Sequence, residues 1–105
     1  MIETLLAAAA IPSRQARFHD APQGTYGIWF DEAETDGADD VNCLLVHNGT
    51  VELYAPEPDK DAEAAFEAEL DARGIHWSKQ GWYWLDSLKR YQNIYEFSYI
   101  EKRRN

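Results

Sequence analysis

The segment Tyr91-Gln92-Asn93-Ile94-Tyr95-Glu96-Phe97-Ser98-Tyr99-Ile100 decides the fold. Tyr91, Asn93, Tyr95, Phe97 and Tyr99 alternate with Gln92, Ile94, Glu96, Ser98 and Ile100. This period of two is sustained over the whole segment and is rich in strand-forming aromatics. Side chains alternate across a strand, so the aromatic series lines one face and needs a covering layer. The segment therefore predicts a long strand at the heart of a sheet, with helices elsewhere in the chain to cover it.

Upstream of this strand, Ile75, Trp77 and Lys79 alternate with His76 and Ser78, and Trp82-Tyr83-Trp84-Leu85 follows across a Gln80-Gly81 turn. Downstream, Lys102-Arg103-Arg104-Asn105 reads as a short basic tail that frays. Before Gly74, Ala62, Ala65, Phe66, Leu70 and Arg73 recur at spacings of three and four, with Phe66 and Leu70 on one face. Glu63, Glu67 and Asp71 fall on the other face, which predicts an amphipathic helix with an acidic outer surface. Asp59 suits its N-cap and Gly74 its C-terminal stop.

Toward the N-terminus, Val41–Val46 and Thr50–Tyr54 read as strands, with His47-Asn48-Gly49 as a tight turn or bulge between them. Gly24–Glu32, centred on Tyr26, Ile28, Trp29 and Phe30, reads as another strand. The polar, acidic Ala33–Asp40 stretch reads as a loop. Ile2–Ala10, rich in Leu and Ala, is a short helix ended by Ile11-Pro12. Together these elements predict one α+β domain over residues 1–105. Two helices pack on one face of a mainly antiparallel sheet of four to five strands.

Composition narrows the function. The chain has 105 residues, 19 Asp+Glu against 10 Lys+Arg, a net charge of −9, and four Trp, six Tyr and four Phe. That aromatic content is far too high for an acidic disordered tail. A domain so negative repels a phosphate backbone, so direct nucleic-acid binding is not expected. The longest apolar run, Leu5 to Ile11, is seven residues, against the roughly 20 of a spanning helix, so no membrane association is expected. The N-terminus lacks the basic region of a secretory signal. The single Cys43 excludes an internal disulfide and fits a reducing compartment. Charge is also segregated: residues 1–70 hold 15 acids and 3 bases, whereas residues 71–105 hold 4 acids and 7 bases. This polarity suits copies that pack head to tail, because complementary charge sets register and speeds encounter.

No motif supplies catalysis. His19, His47 and His76 lie far apart in sequence and, with one cysteine, match no zinc pattern. Each reads as a structural or surface residue. No Ser lies in a GxSxG turn, the glycines form no phosphate loop, and Cys43 sits within the apolar run Asn42–Val46. Glu32, Glu34, Asp36, Gly37 and Asp40 imitate the first half of a calcium loop. Position 12 is then Cys43 instead of the bidentate Glu, and the flanks read as strands, so no metal is expected. The chain is read as a non-enzyme without a cofactor. Trp82-Tyr83-Trp84 places large apolar groups on both faces of any strand, which marks an interface.

Several short segments, in order, resemble a group of small tailed-phage proteins. They are Ala38-Asp39-Asp40 before a strand, Val51-Glu52-Leu53-Tyr54 closing one, Pro58-Asp59-Lys60-Asp61 opening an acidic helix, Gly74-Ile75 followed by Lys79, and Tyr91-Gln92 with Tyr95-Glu96 in the last strand. The group comprises head–tail connector, tail-completion and tail-terminator proteins of siphophages and prophages, and the resemblance spans roughly residues 24–101. The chain departs from it at Gln23-Gly24, where a Pro-Pro pair is common, and in the Trp-rich 82–84 segment. The resemblance implies an α+β structural subunit of the virion head–tail junction, assembled in the host bacterial cytoplasm. It implies a hexameric ring of copies that caps the tail tube, contacting the tail tube protein and a head-completion protein, with no catalytic residue. The loop that contacts neighbours in that group maps here to Thr35–Asp40. With the readings above, the candidate interface comprises Thr35, Asp36, Asp39, Asp40, Glu63, Glu67, Trp82, Trp84, Lys89 and Arg90. The alternative from composition alone is an acidic DNA mimic or inhibitor that occupies a basic partner.

Overall fold

The computed structural model describes residues 1–36 and 42–104, without the side chains of residues 35, 36, 42, 43, 103 and 104. The order is α1 (Ile2–Ala8), β1 (Ser13–Gln15), β2 (Tyr26–Asp36), β3 (Asn42–Ala55), α2 (Lys60–Ala72), β4 (Trp77–Lys79), β5 (Tyr83–Leu85) and β6 (Arg90–Arg104). The architecture is α+β, with two helices on a mixed sheet of six strands in the order β1-β2-β3-β6-β4, and β5 also pairs with β6. The sheet thus has more than the expected four to five strands. The additional pairing is parallel, between β1 and β2, and the others are antiparallel. A three-residue strand such as Ser13-Arg14-Gln15 carries no periodic signal of its own, and it forms because β2 offers an edge.

Both helices cover the face that carries Val51, Leu53, Tyr95 and Phe97. Leu6 of α1 approaches Gly27 and Leu53, Ile2 reaches Gly49, and Phe66 of α2 meets Tyr95 edge-on at 5.1 Å between centroids. Ile2, Leu5, Leu6, Val51, Leu53, Phe66, Leu70 and Tyr95 are all fully enclosed and form the core. α2 begins where expected: Asp59 accepts a hydrogen bond from the Ala62 amide at 3.0 Å and another from Thr25 Oγ1. It ends with Gly74 at φ +68°, the Gly74 amide bonded to Asp71 O and the Ile75 amide to Leu70 O. That double closure is the Schellman arrangement, and it drops Ile75 into the core. α1 closes the same way on Ala10, at φ +61°, with the Ile11 amide on Leu6 O. The stop is therefore this left-handed turn before Ile11, two residues earlier than the predicted end.

Three further expectations change. His47-Asn48-Gly49 is no turn: β3 runs unbroken from Asn42 to Ala55, paired on both sides. Gly49 instead makes room for its neighbours, since a Cβ there would lie 2.7 Å from Phe97 Cε2 and 3.0 Å from Ile2 Cδ1. The predicted loop at Ala33 is strand as far as Asp36, because β3 residues Leu44 to His47 supply its partners. The basic tail does not fray either; Lys102, Arg103 and Arg104 pair with Leu44, Cys43 and Asn42. Consequently β2, β3 and β6 run on beyond the helices as a three-stranded arm, and the molecule measures 49 × 27 × 21 Å.

Candidate interaction surface

The arm comprises residues 30–36 of β2, 42–48 of β3 and 98–104 of β6, with β3 in the middle. Both outer strands lose their neighbours there. β1 pairs only with residues 27–29 of β2, and β4 only with residues 95–97 of β6. The backbone direction is fixed by the last bonds made. The Gly27 amide donates to Pro12 O and the Ala16 amide to Trp29 O, so odd residues of β2 face outward in the sheet plane. The Gln80 amide donates to Ile94 O, so even residues of β6 do the same. Asp31, Ala33 and Thr35 on one side, and Ser98, Ile100, Lys102 and Arg104 on the other, thus form two edges with no strand beside them among the described residues.

The edges differ in charge. Residues 31–36 contain Asp31, Glu32, Glu34 and Asp36 and no base, whereas residues 98–104 contain Lys102, Arg103, Arg104 and one acid, Glu101. The segregation seen along the sequence is therefore realised across a sheet three strands wide. The helix-free face of the arm region also exposes Phe30 and Ile100, the latter at 63%.

One polar cluster braces the arm on its helix side. His47 stacks on Tyr99 with centroids 4.5 Å apart and planes inclined by 6°. Its Nδ1 lies 2.8 Å from Asp31 Oδ1 and its Nε2 lies 2.8 Å from Glu101 Oε1, while Tyr99 Oη donates to Asp31 Oδ2. A carboxylate oxygen accepts, so contacts on both ring nitrogens favour the doubly protonated ring, which can donate to each. Burial works against that charge, but the hydrogen bonds from Asp31 and Glu101 outweigh it and raise the His47 pKa above its ordinary value. Burial, together with the bond to Asp31, likewise pushes the Tyr99 hydroxyl up. The sequence makes His47 a structural or surface residue, and the register that sets it opposite Tyr99 shows which structural part it plays.

A second network joins α2 to the sheet. Lys79 Nζ lies 2.7 Å from both Glu63 Oε2 and Glu67 Oε2. Trp82 Nε1 and Asn93 Nδ2 also donate to Glu63, and Tyr95 Oη donates to Glu67. Burial opposes the Glu63 charge, yet Lys79 and Trp82 hold its pKa below the usual carboxylate range. The predicted acidic outer surface of α2 is thereby corrected at these two positions, which point at the sheet because β4 and β6 present polar donors there. Ala64, Ala68 and Asp71 face outward instead.

The candidate interface residues do not converge. Thr35 and Asp36 lie on β2 in the arm, and Asp39 and Asp40 lie outside the described residues. Glu63, Glu67 and Trp82 belong to the α2 network. Trp84 is 46% exposed at the opposite end of the sheet, edge-on to Tyr91, near exposed Leu88 and Tyr83. Lys89 pairs with Asp86 in the turn before β6. Arg90 is a clamp: it donates to the carbonyls of Pro22, Gln23 and Gly24 and lies over the Tyr26 ring. The described residues contain no group of three or more His, Cys, Asp or Glu placed to hold a metal ion. No helix among them is long and apolar enough to cross a membrane. No protein-family model matches the chain, and no curated protein is significantly similar to it.

Proposed function

We propose that the chain is a structural subunit of tailed-phage assembly, a tail terminator or head–tail connector that caps the tail tube and joins it to the head at that junction of the virion. The observation that carries this reading is the projecting arm, whose two edges have no strand beside them among the described residues and whose edge sequences are opposite in charge. A heterologous contact between unlike surfaces is what builds a ring when its rotation closes. The aromatic end around Trp84 offers a separate surface for a tube or head protein, since Trp and Tyr are favoured at interfaces. The DNA-mimic alternative needs carboxylates ranged along an exposed face, and Glu63 and Glu67 are instead engaged by Lys79.

The test is to add the purified chain to its tail tube protein during tube growth and to image the products by electron microscopy. The expected result is tubes of arrested length carrying an extra disc of density at one end, with a mass matching a ring of copies. Tubes of unaltered length with bare ends would overturn the proposal.

A further inference from the structure

The side of the sheet away from the helices changes character along its length. Val51, Leu53, Tyr95 and Phe97 face the helices, so the even-numbered residues of β2, β3 and β6 share the opposite side. At one end Tyr26, Tyr54 and Gln92 lie there in register and are buried, with Phe18 edge-on to Tyr26 and Tyr83 donating to Gln92. Beyond them, along residues 28–34 of β2, no helix lies on the strands. Phe30 and Ile100 are exposed on this stretch, and Ile28, Val46 and Ile94 are half-buried.

Four carboxylates interleave with these apolar side chains: Glu32, Glu34 and Glu96, all exposed, and the half-buried Glu52. The bases of this side stand at its two ends. Arg14 is in register with Ile28 and lies over the Phe18 ring, and Lys102 is in register with Leu44. The open stretch between them is apolar and acidic at once. Apolar groups left uncovered among polar ones mark a surface that meets a partner, and the carboxylates state the sign of that partner.

A second copy set face to face would bring eight carboxylates together, and a nucleic acid or an anionic lipid surface would meet the same repulsion. The amides and carbonyls beneath are engaged in the strand ladders, so the face offers side chains only. That suits a segment whose own backbone is satisfied, which is a helix. The dimensions agree: the outer strands lie about 10 Å apart and residues 28–34 extend about 20 Å, the width and length of a helix of about 14 residues. We propose that this face docks a basic amphipathic helix of a different protein, its apolar stripe on Phe30, Val46 and Ile100 and its bases on Glu32, Glu34 and Glu96. The contact stands apart from the ring reading, since it needs neither self-association nor a tail tube.

The probe is a fluorescein-labelled peptide of about 14 residues, built of leucine, lysine and alanine with the leucines at helical spacings of three and four. Fluorescence anisotropy should show binding that weakens as salt rises. Glu32→Lys combined with Glu34→Lys should weaken it by about tenfold or more, and Ile100→Ser should weaken it severalfold. All three positions are exposed, and circular dichroism verifies that the variants keep the fold. Asp61→Lys with Ala64→Lys and Ala68→Lys makes the same change in net charge on the outer side of α2 and should leave binding unaltered. A peptide with glutamate in place of lysine should prefer the Glu32→Lys, Glu34→Lys variant to the unaltered chain.

A peptide that does not bind at its highest soluble concentration overturns the proposal. So does equal binding of a peptide with the same composition and its leucines scattered around the helix, or an equal loss when the charges are placed on α2, because attraction to net charge alone would then be the cause. Dimers of the unaltered chain that Ile100→Ser dissociates would give the face to a second copy and overturn it as well. The tube-capping reading fails separately, on tubes left bare.

Discussion

His47 and Glu101, far apart in sequence, meet at 2.8 Å across β3 and β6, with Asp31 on the other ring nitrogen. The ring ties all three strands of the arm together, and Tyr99, stacked on it, packs against the core.

This arrangement fixes the sign of a pH effect. The folded pKa of His47 is raised, so the folded state binds its proton more tightly than the unfolded chain does. The stabilisation is complete below the unfolded value of about 6.5 and is lost as pH rises through the folded value. The groups facing the ring are Asp31, Glu101 and Tyr99. We expect the urea midpoint to fall as pH rises above neutrality, and the same titration of His47→Gln to be flat by comparison. An unchanged slope in the variant would assign the dependence elsewhere. Amide exchange at residues 45–48 should quicken over the same pH range.

Gly49 faces Phe97 across β3 and β6, and a Cβ there would collide with the Phe97 ring. Phe97 is nearly enclosed and Ile2 fully so, which leaves the ring little space to withdraw. Gly49→Ala should therefore destabilise by about 1–3 kcal/mol, as overpacking typically does, although alanine is the better strand residue by propensity. Chemical denaturation of the two proteins decides it. Gain of stability would mean that Phe97 relocates without cost.

The same position shows which parts of the fold were legible in the sequence. The Tyr91–Ile100 alternation forecast the face that meets the helices, because a half-buried strand writes its period directly. Asn48-Gly49 was misread because glycine next to asparagine signals a turn locally, while its use here is to admit a ring from a strand distant in sequence. The arm was hidden for a related reason. Residues 33–36 and 102–104 are polar and carry no apolar period, and they become strands only through pairing with β3. Glu63 and Glu67 were read as solvent-facing since their spacing opposes Phe66 and Leu70; nothing local announces that Lys79, Trp82, Asn93 and Tyr95 wait beneath them. Asp59 and Gly74, by contrast, act within their own turn and were legible as caps.

Lys79 neutralises Glu63 and Glu67, whose side chains are only 14% and 19% exposed. Removing the ammonium leaves two half-buried carboxylates side by side, with only the neutral donors Trp82, Asn93 and Tyr95. Lys79→Met, which keeps the aliphatic stem, should cost about 1–3 kcal/mol, with part of the effect screened by solvent at the exposed lysine. The depressed Glu63 pKa gives stability that is present above the unfolded value and lost as pH falls through the folded one. The stability gap between the unaltered chain and Lys79→Met should therefore be widest near neutral pH and narrow as pH falls through the folded Glu63 value. A gap that does not change with pH would show that Lys79 acts through packing and not through the ion pair.

Ala10 closes α1 at φ +61°, in a region where an L side chain crowds the backbone. The closure is otherwise complete, with the Ala10 amide on Ala7 O and the Ile11 amide on Leu6 O, and it delivers Ile11 to the core. Glycine adopts this conformation without the Cβ penalty, which is of the order of 1–2 kcal/mol. Against that stands the greater freedom of glycine in the unfolded chain, on the order of 0.5–1 kcal/mol. The steric relief outweighs the entropic loss, so Ala10→Gly should raise stability by up to about 1 kcal/mol. Ala8→Gly, in the last turn of α1 and exposed like Ala10, incurs that loss without the relief and should destabilise. Opposite shifts of the melting temperature for these two substitutions would locate the effect in the backbone angle, since both delete an exposed methyl group. Parallel shifts would refute it.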